Sequence, residues 1–345
     1  MSYQTHAEYR VSWDAAYYTD PAIPLNVDIE LASACNAKCT FCLYGDKDWR
    51  EDMNEKDWDG KVKKRFMSKE LALRIIDECA KIGVPALKMN FRGESTMHKD
   101  YREIMEYAAK STMFYGAVGY GGYTERPSFF EILVNTNGNL PHNTTDHPTK
   151  RQDALTGLMC ATKVMISLDS MDPDIYPKVR VGLDLSEAQK TISDLVELGH
   201  PDLWVRRVVC KDNQHEDFVG AVKSRWPKCV RVSEHSVFER NHYQNQALYE
   251  EDTSNWERTF CGYPAQRVVI EASGRYSACC IAWAGELSGG TYPAMSIMQY
   301  WNSPWRKRLA DNLRKNVIEN DKCKNCTSYM AFKRPERDFV KDVAR

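Results

Sequence analysis

From residue 26 to residue 235 the chain alternates strand-like and helix-like segments, and that rhythm restricts the fold more than any other feature of its 345 residues. Asn26–Ser33 sets Val27, Ile29 and Leu31 against Asp28 and Glu30, the two-residue period of a strand. Ser68–Ile82 places Leu71, Ile75, Cys79 and Ile82 on one helical face, with Gly83 as its stop. Further strands are expected at Leu87–Phe91, Glu131–Thr136, Lys163–Leu168, Leu203–Val209 and Cys229–Ser233. Further helices are expected at Lys99–Ser111, Ser186–Leu198 and His215–Trp226, the second with a capping box of Ser186 and Gln189 and a stop at Gly199. Six strand–helix repeats imply a parallel sheet, open or curled into a partial barrel.

Three stretches break the rhythm: Asp46–Phe66, dense in charge; Phe114–Phe130, rich in Gly and Tyr; and Leu140–Lys150, polar with two prolines. Each reads either as a solvated loop or as a lid over the mouth of a barrel. Residues 236–260 are polar and read as a linker. Beyond them the α/β alternation is lost. A strand pair, Gln266–Glu271 and Tyr276–Cys279, turns at Ser273-Gly274, and a helix covers Pro304–Lys315. The expected division is an N-terminal extension (1–25), an α/β barrel (26–235), the linker, and a small α+β domain (261–345).

The 47 Lys and Arg balance 48 Asp and Glu, a net charge of −1, which weighs against a nucleic-acid partner. Hydrophobic residues at 43% and charged residues at 28% exclude wholesale disorder. Residues 1–25 have no apolar core of signal-peptide length, and no apolar stretch is long enough for a bilayer. A soluble cytoplasmic protein is expected, with no membrane partner and with reduced thiols. Twelve cysteines in such a chain then turn attention to metal.

Cys35, Cys39 and Cys42 form C-x3-C-x2-C directly after the first strand, where ligands collect in parallel α/β folds. Zinc asks for a fourth ligand, and the stretch holds no His. Three cysteines on a [4Fe–4S] cluster leave one iron open to a substrate or cofactor. A zinc knuckle with a distant fourth ligand, or three unrelated thiols, are the alternatives. A second set, Cys261, Cys279 and the C-x2-C pair Cys323 and Cys326, fits a closed zinc site or a fully ligated iron–sulfur cluster equally well by ligand type. Of the rest, Cys79 lies on an apolar helix face, Cys160 and Cys229 flank strands, and all three read as packing. Cys210 ends a strand and is a candidate to face the barrel lumen.

The triad and its position resemble the radical S-adenosylmethionine (SAM) superfamily. Phe41 stands between the second and third cysteines, where the family has an aromatic near the adenine. Arg92-Gly93-Glu94 resembles the family's Gly-Gly-Glu, which receives the methionine amino group; Arg92 replaces the first glycine. Leu133–Gly138, with Asn135, and Ile166–Asp169 resemble the third- and fourth-strand signatures, Ser167 being placed to meet the ribose and Asp169 beside it. Arg180 stands where the family often has a carboxylate-binding arginine, and Val208–Asn213 resembles the adenine-side end of the fifth strand. Over about 26–235 the resemblance implies a partial six-stranded (β/α)6 TIM-type barrel. The C-terminal pattern C-x12-G-x4-C, a helix after Trp301-Asn302-Ser303-Pro304, then C-x2-C resembles SPASM/twitch extensions. No cysteine follows Cys326, so the one-cluster twitch form is the better match, and two [4Fe–4S] clusters with SAM are implied in all. Cys280, next to an implied ligand, reads either as a hydrogen-atom donor to a substrate radical or as a buried neighbour of the cluster.

In a barrel wrapped by helices the apolar residues of each strand face outward. That leaves Asp28 and Glu30, Lys88, Asn90 and Arg92, and Ser167 and Asp169 inside, with Arg206 beside them. Either these charges pair with one another, or they engage a polar substrate: a sugar, aminocyclitol, nucleoside, amino acid or short peptide. The resemblance implies reductive cleavage of SAM to a 5′-deoxyadenosyl radical, with flavodoxin or ferredoxin as electron source. An auxiliary cluster favours a two-electron dehydrogenation. Epimerisation with Cys280, peptide maturation, nucleic-acid modification, and a non-enzymatic metal-binding protein are the alternatives.

Overall fold

In the computed structural model the described residues are 3–42, 66–115, 124–227, 230–236, 256–258, 261–283, 285–324, 326 and 330–332. Six parallel strands are β1 (Asn26–Ile29), β2 (Ala86–Lys88), β5 (Glu131–Thr136), β6 (Lys163–Ser167), β7 (Leu203–Val209) and β8 (Val230–Ser236). They lie in sequence order, and helices connect them. This is the expected partial barrel.

The sheet continues past β1. There β10 (Arg267–Ile270) runs parallel to β1, and β11 (Arg275–Ser277) and β12 (Ser288–Thr291) follow antiparallel, giving nine strands in one sheet. Losing the α/β alternation after residue 260 therefore did not end the barrel sheet. Val268 and Ile270 alternate as Val27 and Ile29 do, and all four are buried in one hydrophobic core.

Local signals set most helix ends. The helix Lys69–Ile82 starts where Leu71 N–H donates to Ser68 Oγ and ends at Gly83, whose φ of 85° is left-handed. The helix Leu185–Glu197 corrects the expected capping box. Asp184 is the cap, its Oδ1 accepting from Ser186 N–H and Ser186 Oγ at 2.7 Å each, while Gln189 turns toward Met171. The helix Lys150–Met159 was not expected. Gly157 interrupts its apolar face because the Tyr101 ring packs there; a Cβ would stand 2.6 Å from it.

The N-terminal extension holds a helix, His6–Ala15, with a capping box of Thr5 and Glu8. Its Tyr9 packs with Leu25, Ala86, Ala265 and Ala310. Part of the Phe114–Phe130 stretch is an antiparallel ribbon rather than a loop, β3 (Thr112–Tyr115) against β4 (Thr124–Pro127). A second ribbon joins β9 (Trp256–Arg258) to β13 (Met330–Phe332). The 46–66 stretch, apart from Phe66, lies outside the described residues, as do Cys229 and most of the 236–260 linker. Among the described residues no helix is long and apolar enough to cross a membrane.

The two faces of the strands differ in a way that bears on function. Ile132, Val134, Val164, Ile166 and Val205 face the helices and are at most 3% exposed. Between them Leu133, Asn135, Met165, Trp204 and Arg206 face inward and stay partly accessible. A side-chain-filled barrel would bury both sets; here these five inward positions keep some solvent access, while Asp28, Glu30 and Arg92 are buried.

Candidate active site

The loop after β1 carries the first cysteines, and backbone bonds from two other segments fasten it. Lys38 N–H donates to Val181 C=O at 2.8 Å and Thr40 N–H to Val179 C=O at 3.2 Å. Asn36 donates to Asn139 C=O at 2.9 Å and accepts from Asn137 Nδ2 at 2.7 Å. Cys35 Sγ accepts from Ala37 N–H at 3.4 Å, and Cys39 Sγ from Arg180 Nη1 at 3.2 Å. Burial pushes the Cys35 thiol up to about 12, with nearby Glu94 adding to it, and burial raises Cys39 as well. Such thiols ionise when a cation is brought to them. With peptide and guanidinium donors aimed at the sulfurs, the set fits an iron–sulfur cluster.

Gly93 and Glu94 close the strand opposite. Gly93 has φ of 64°, and a Cβ there would lie 2.5 Å from the carbonyl oxygens of Ala32 and Ala34 on the cysteine loop. Only glycine permits that approach. Glu94 N–H donates to Ala34 C=O at 2.8 Å. Its buried carboxylate accepts from Thr96 Oγ1 (2.8 Å), Thr136 Oγ1 (3.0 Å) and Asn137 N–H (2.8 Å). Burial nevertheless holds the carboxyl above its ordinary range. Asn135 lies in the bore with a buried Oδ1 that has no hydrogen-bond partner, and Ser167 sits at the end of β6 with its side chain partly accessible.

Asp169 and Arg180 form a buried pair on the far side of the loop. Asp169, at φ of 66°, accepts from Arg180 Nε and, at 2.6 Å, from Val208 N–H. Arg180 thus bridges Asp169 to Cys39, and its guanidinium stacks over the Phe41 ring at 5.2 Å. Phe41 packs with Val208, Val209 and the buried Cys210. Cys210 therefore belongs to this apolar rim and not to the lumen. Cys79 lies in the core and Cys160 packs against it, as expected.

Elsewhere in the bore, Arg92 bonds Glu30, Glu271 just past β10 and the Trp283 carbonyl. Arg275 also binds Glu271, with Nη2 at 2.6 Å. Asp28 is buried and lies 4.0 Å from Lys88 Nζ and 3.6 Å from Arg267 Nη1. Pairing inside the barrel was expected as one of two outcomes. Glu271, Arg275 and Arg267 were missed. Their signal was the inward set of a strand read as the start of a separate domain.

The other four cysteines meet. Cys261, Cys279, Cys323 and Cys326 line one pocket, with Tyr263 and Lys322 in its wall. Cys279 Sγ accepts from Ile281 N–H at 3.5 Å. Among the described residues no three Cys, His or acidic side chains converge on a single-ion position. In an iron–sulfur cube each thiolate holds its own iron, so the donors ring a volume, and the four thiols fit such a group. Cys280 does not line this cavity. It contacts Tyr263 and lies near Lys88 and Arg267, and its thiol is brought down to about 7, first by the Cys279 thiol and further by those two cations.

The family model of the radical SAM superfamily matches residues 29–224, more than half of the chain. The chain belongs to the radical SAM superfamily. A second model, the SPASM iron–sulfur cluster-binding domain, matches residues 261–327. This radical SAM protein is 22% identical over 200 residues to a GTP 3′,8-cyclase of Vibrio parahaemolyticus, an alignment covering 57% of this chain and 50% of that protein. It is 27% identical over 188 residues to a probable GTP 3′,8-cyclase of Methanococcus maripaludis, covering 54% and 51%. The matched region thus spans about half the length of these relatives. Among solved structures, BtrN in complex with AdoMet and 2-DOIA has a TM-score of 0.53 at 14% identity, covering 90% of this chain and 94% of that one. SuiB of Streptococcus suis has a TM-score of 0.62 at 14% identity (93% and 74%), and anSMEcpe with AdoMet 0.58 at 14% (88% and 87%). These likenesses are of fold: a partial TIM barrel with a C-terminal SPASM-type domain. Family and domain together make the chain a radical SAM enzyme that uses SAM and iron–sulfur chemistry.

Proposed function

We propose that the enzyme removes two electrons from a polar substrate held in the bore, using two [4Fe–4S] clusters. Cys35, Cys39 and Cys42 are the ligands of the first, and Cys261, Cys279, Cys323 and Cys326 of the second. Held by those three cysteines and by the SAM-binding residues, a cluster and SAM would supply the radical chemistry that removes a hydrogen atom from the substrate. The chain's own residues hold SAM. Glu94 and the Gly93 backbone receive its ammonium, Ser167 and Asn135 its polar edges, Phe41 its adenine, and the Asp169–Arg180 pair fixes the loop beneath. Flavodoxin or ferredoxin is the proposed reductant, and 26–235 and 261–345 are the proposed domains, with β10, β11 and β12 of the second extending the sheet of the first.

The observation that carries the oxidation is the shared wall. Tyr263 lines the four-cysteine cavity and contacts Cys280, which lies beside Lys88 and Arg267 of the bore. A cluster held there would be adjacent to take the second electron as the substrate radical sheds its proton. The length match with BtrN, solved with 2-DOIA, agrees with a small polar substrate. The position of Cys280 keeps epimerisation as a second reading, and the names of the matched relatives keep cyclisation of a nucleotide as a third.

Replacing Cys323 and Cys326 together with Ala tests the oxidation. 5′-Deoxyadenosine should still form while product falls far more. A purely structural metal site would make both collapse together with solubility. Turnover in heavy water separates the readings: one deuterium at the reacting carbon, with loss of turnover in Cys280→Ala, establishes epimerisation instead. Conversion of GTP to a cyclised product would establish the third.

A further inference from the structure

Among the described residues, the inward-facing cations of the bore differ in the carboxylates that meet them. Glu30 and Glu271 are matched by Arg92 and Arg275, and Asp169 by Arg180. Toward the start of the strands, Lys88 and Arg267 lie beside the carboxylate of Asp28, and Lys163 and Arg231 beside that of Asp202 at 3.5 and 3.6 Å. Arg206 has none. It forms no ion pair within 4 Å with any described carboxylate, although most of its side chain is withdrawn from water. A guanidinium in that position costs stability unless something anionic meets it.

Its place says what that is. Arg206 is in register with Ser167 on β6 and Ser233 on β8, and Ser233 Oγ is buried without a hydrogen-bond partner. Its charge is felt by Asp169 and Arg180, which hold the cysteine loop, and by Tyr263 in the wall of the four-cysteine cavity. Beside Ser167 in the register, it is within electrostatic reach of groups at both cysteine sites, and the bore between them is where a reacting substrate would sit. We propose that Arg206 anchors an anionic group of the substrate, a carboxylate or a phosphate, with Ser233 as a second donor and Lys88 and Arg267 supplying the surrounding positive field. This rests on the reading of the bore as the substrate site and narrows its substrate class to polar molecules that carry an anion. Arginine suits the role because its planar fork matches both oxyanions with two parallel bonds.

Isothermal titration of the full-length reconstituted protein with inorganic phosphate and with acetate, at constant ionic strength, tests the proposal. One probe should bind more tightly, and which one distinguishes a phosphorylated from a carboxylic substrate. Arg206→Gln should weaken that probe at least tenfold, Arg206→Lys should restore part of it, and Lys88→Gln should weaken it less. The melting temperature of Arg206→Gln should stay level or rise, since the described contact it loses is the long one from Nη1 to Met165 Sδ at 3.9 Å. Unchanged probe affinity overturns the proposal. So does an equal loss of SAM affinity, which would hand Arg206 to the cofactor, or a clear fall in melting temperature, which would make it structural. None of these readouts uses SAM cleavage or product formation, so their failure leaves the oxidation reading to its own test.

Discussion

Arg92 grips Glu30 with two nitrogens, Nε at 2.7 Å from Oε1 and Nη2 at 2.9 Å from Oε2. Nη2 also reaches Glu271 Oε2 at 2.8 Å, and Nη1 donates to the Trp283 carbonyl at 2.6 Å. One side chain, standing where the family pattern has glycine, therefore ties β1 to β10 and to the loop beyond the Cys279-Cys280 pair. The departure is structural: it joins the barrel wall to the segment that carries the second cysteine site.

Arg92→Met should cost about 3–5 kcal/mol in urea unfolding, because the buried Glu30 loses its paired guanidinium and Glu271 is left with Arg275 alone. Adding Glu30→Gln to the same chain should return part of that loss, the signature of coupled neighbours. A single-variant loss below about 1 kcal/mol would show the network to be dispensable.

Gly93→Ala should be worse than its size suggests. A Cβ 2.5 Å from two carbonyl oxygens must push the cysteine loop away from β2, and the left-handed φ adds strain. A loss of more than about 1 kcal/mol is expected, together with lower iron content after reconstitution. Normal iron at wild-type stability would mean that the loop adjusts freely.

Replacing Cys35, Cys39 and Cys42 with Ala should remove about four irons per chain and abolish SAM cleavage, since each thiolate holds a different iron. The four-cysteine cavity is built from other segments, so the remaining iron should stay. Unchanged total iron would remove the first cluster from this loop.

How much of this was legible in the sequence follows from how local each signal is. Ser68, Gly83 and the Val27-Ile29-Leu31 alternation act within a few residues, and the fold obeys them. The Cys35–Cys42 and Cys323–Cys326 spacings were legible because each sits on one short segment, whereas Cys261 and Cys279 entered through the longer C-x12-G-x4-C pattern. Asp184 was overlooked as a cap because Ser186 and Gln189 offered a competing local pattern that the backbone does not use. The pairing of β10 with β1 joins residues more than two hundred positions apart, and no short-range period encodes it. For the same reason the partners of Arg92 were only half visible. Glu30 follows from adjacent strands, whereas Glu271 needs that remote pairing.

His200 should make folding sensitive to mild acid. Nε2 lies 3.0 Å from the Ala161 carbonyl, and Nδ1 accepts from Asp202 N–H at 3.3 Å, which is the neutral ring. Burial lowers its pKa from 6.5. Between that lowered value and 6.5 the unfolded chain binds a proton that the folded chain refuses, so stability falls as pH drops through the window. His200→Gln should flatten the dependence of the urea midpoint between about pH 7.5 and about pH 5.5. An unaltered slope would assign the acid sensitivity to other groups.

Glu94 is the residue whose two roles are hardest to separate, because its carboxylate already receives Thr96, Thr136 and Asn137. Those bonds hold the ends of β2 and β5 together whether or not SAM is present. A SAM ammonium would add a charge-assisted contact on a carboxylate that burial leaves short of positive partners. Glu94→Gln keeps the shape, so it should weaken SAM binding by about 1.5–3 kcal/mol, the range for a hydrogen bond to a charged group. Thr136→Val removes one of the neutral bonds and keeps the charge. It should destabilise the fold to a similar degree while leaving SAM affinity within about threefold of wild type, less than 1 kcal/mol. Equal losses of SAM affinity in the two variants would mean that Glu94 shapes the pocket wall and that the ammonium is received elsewhere.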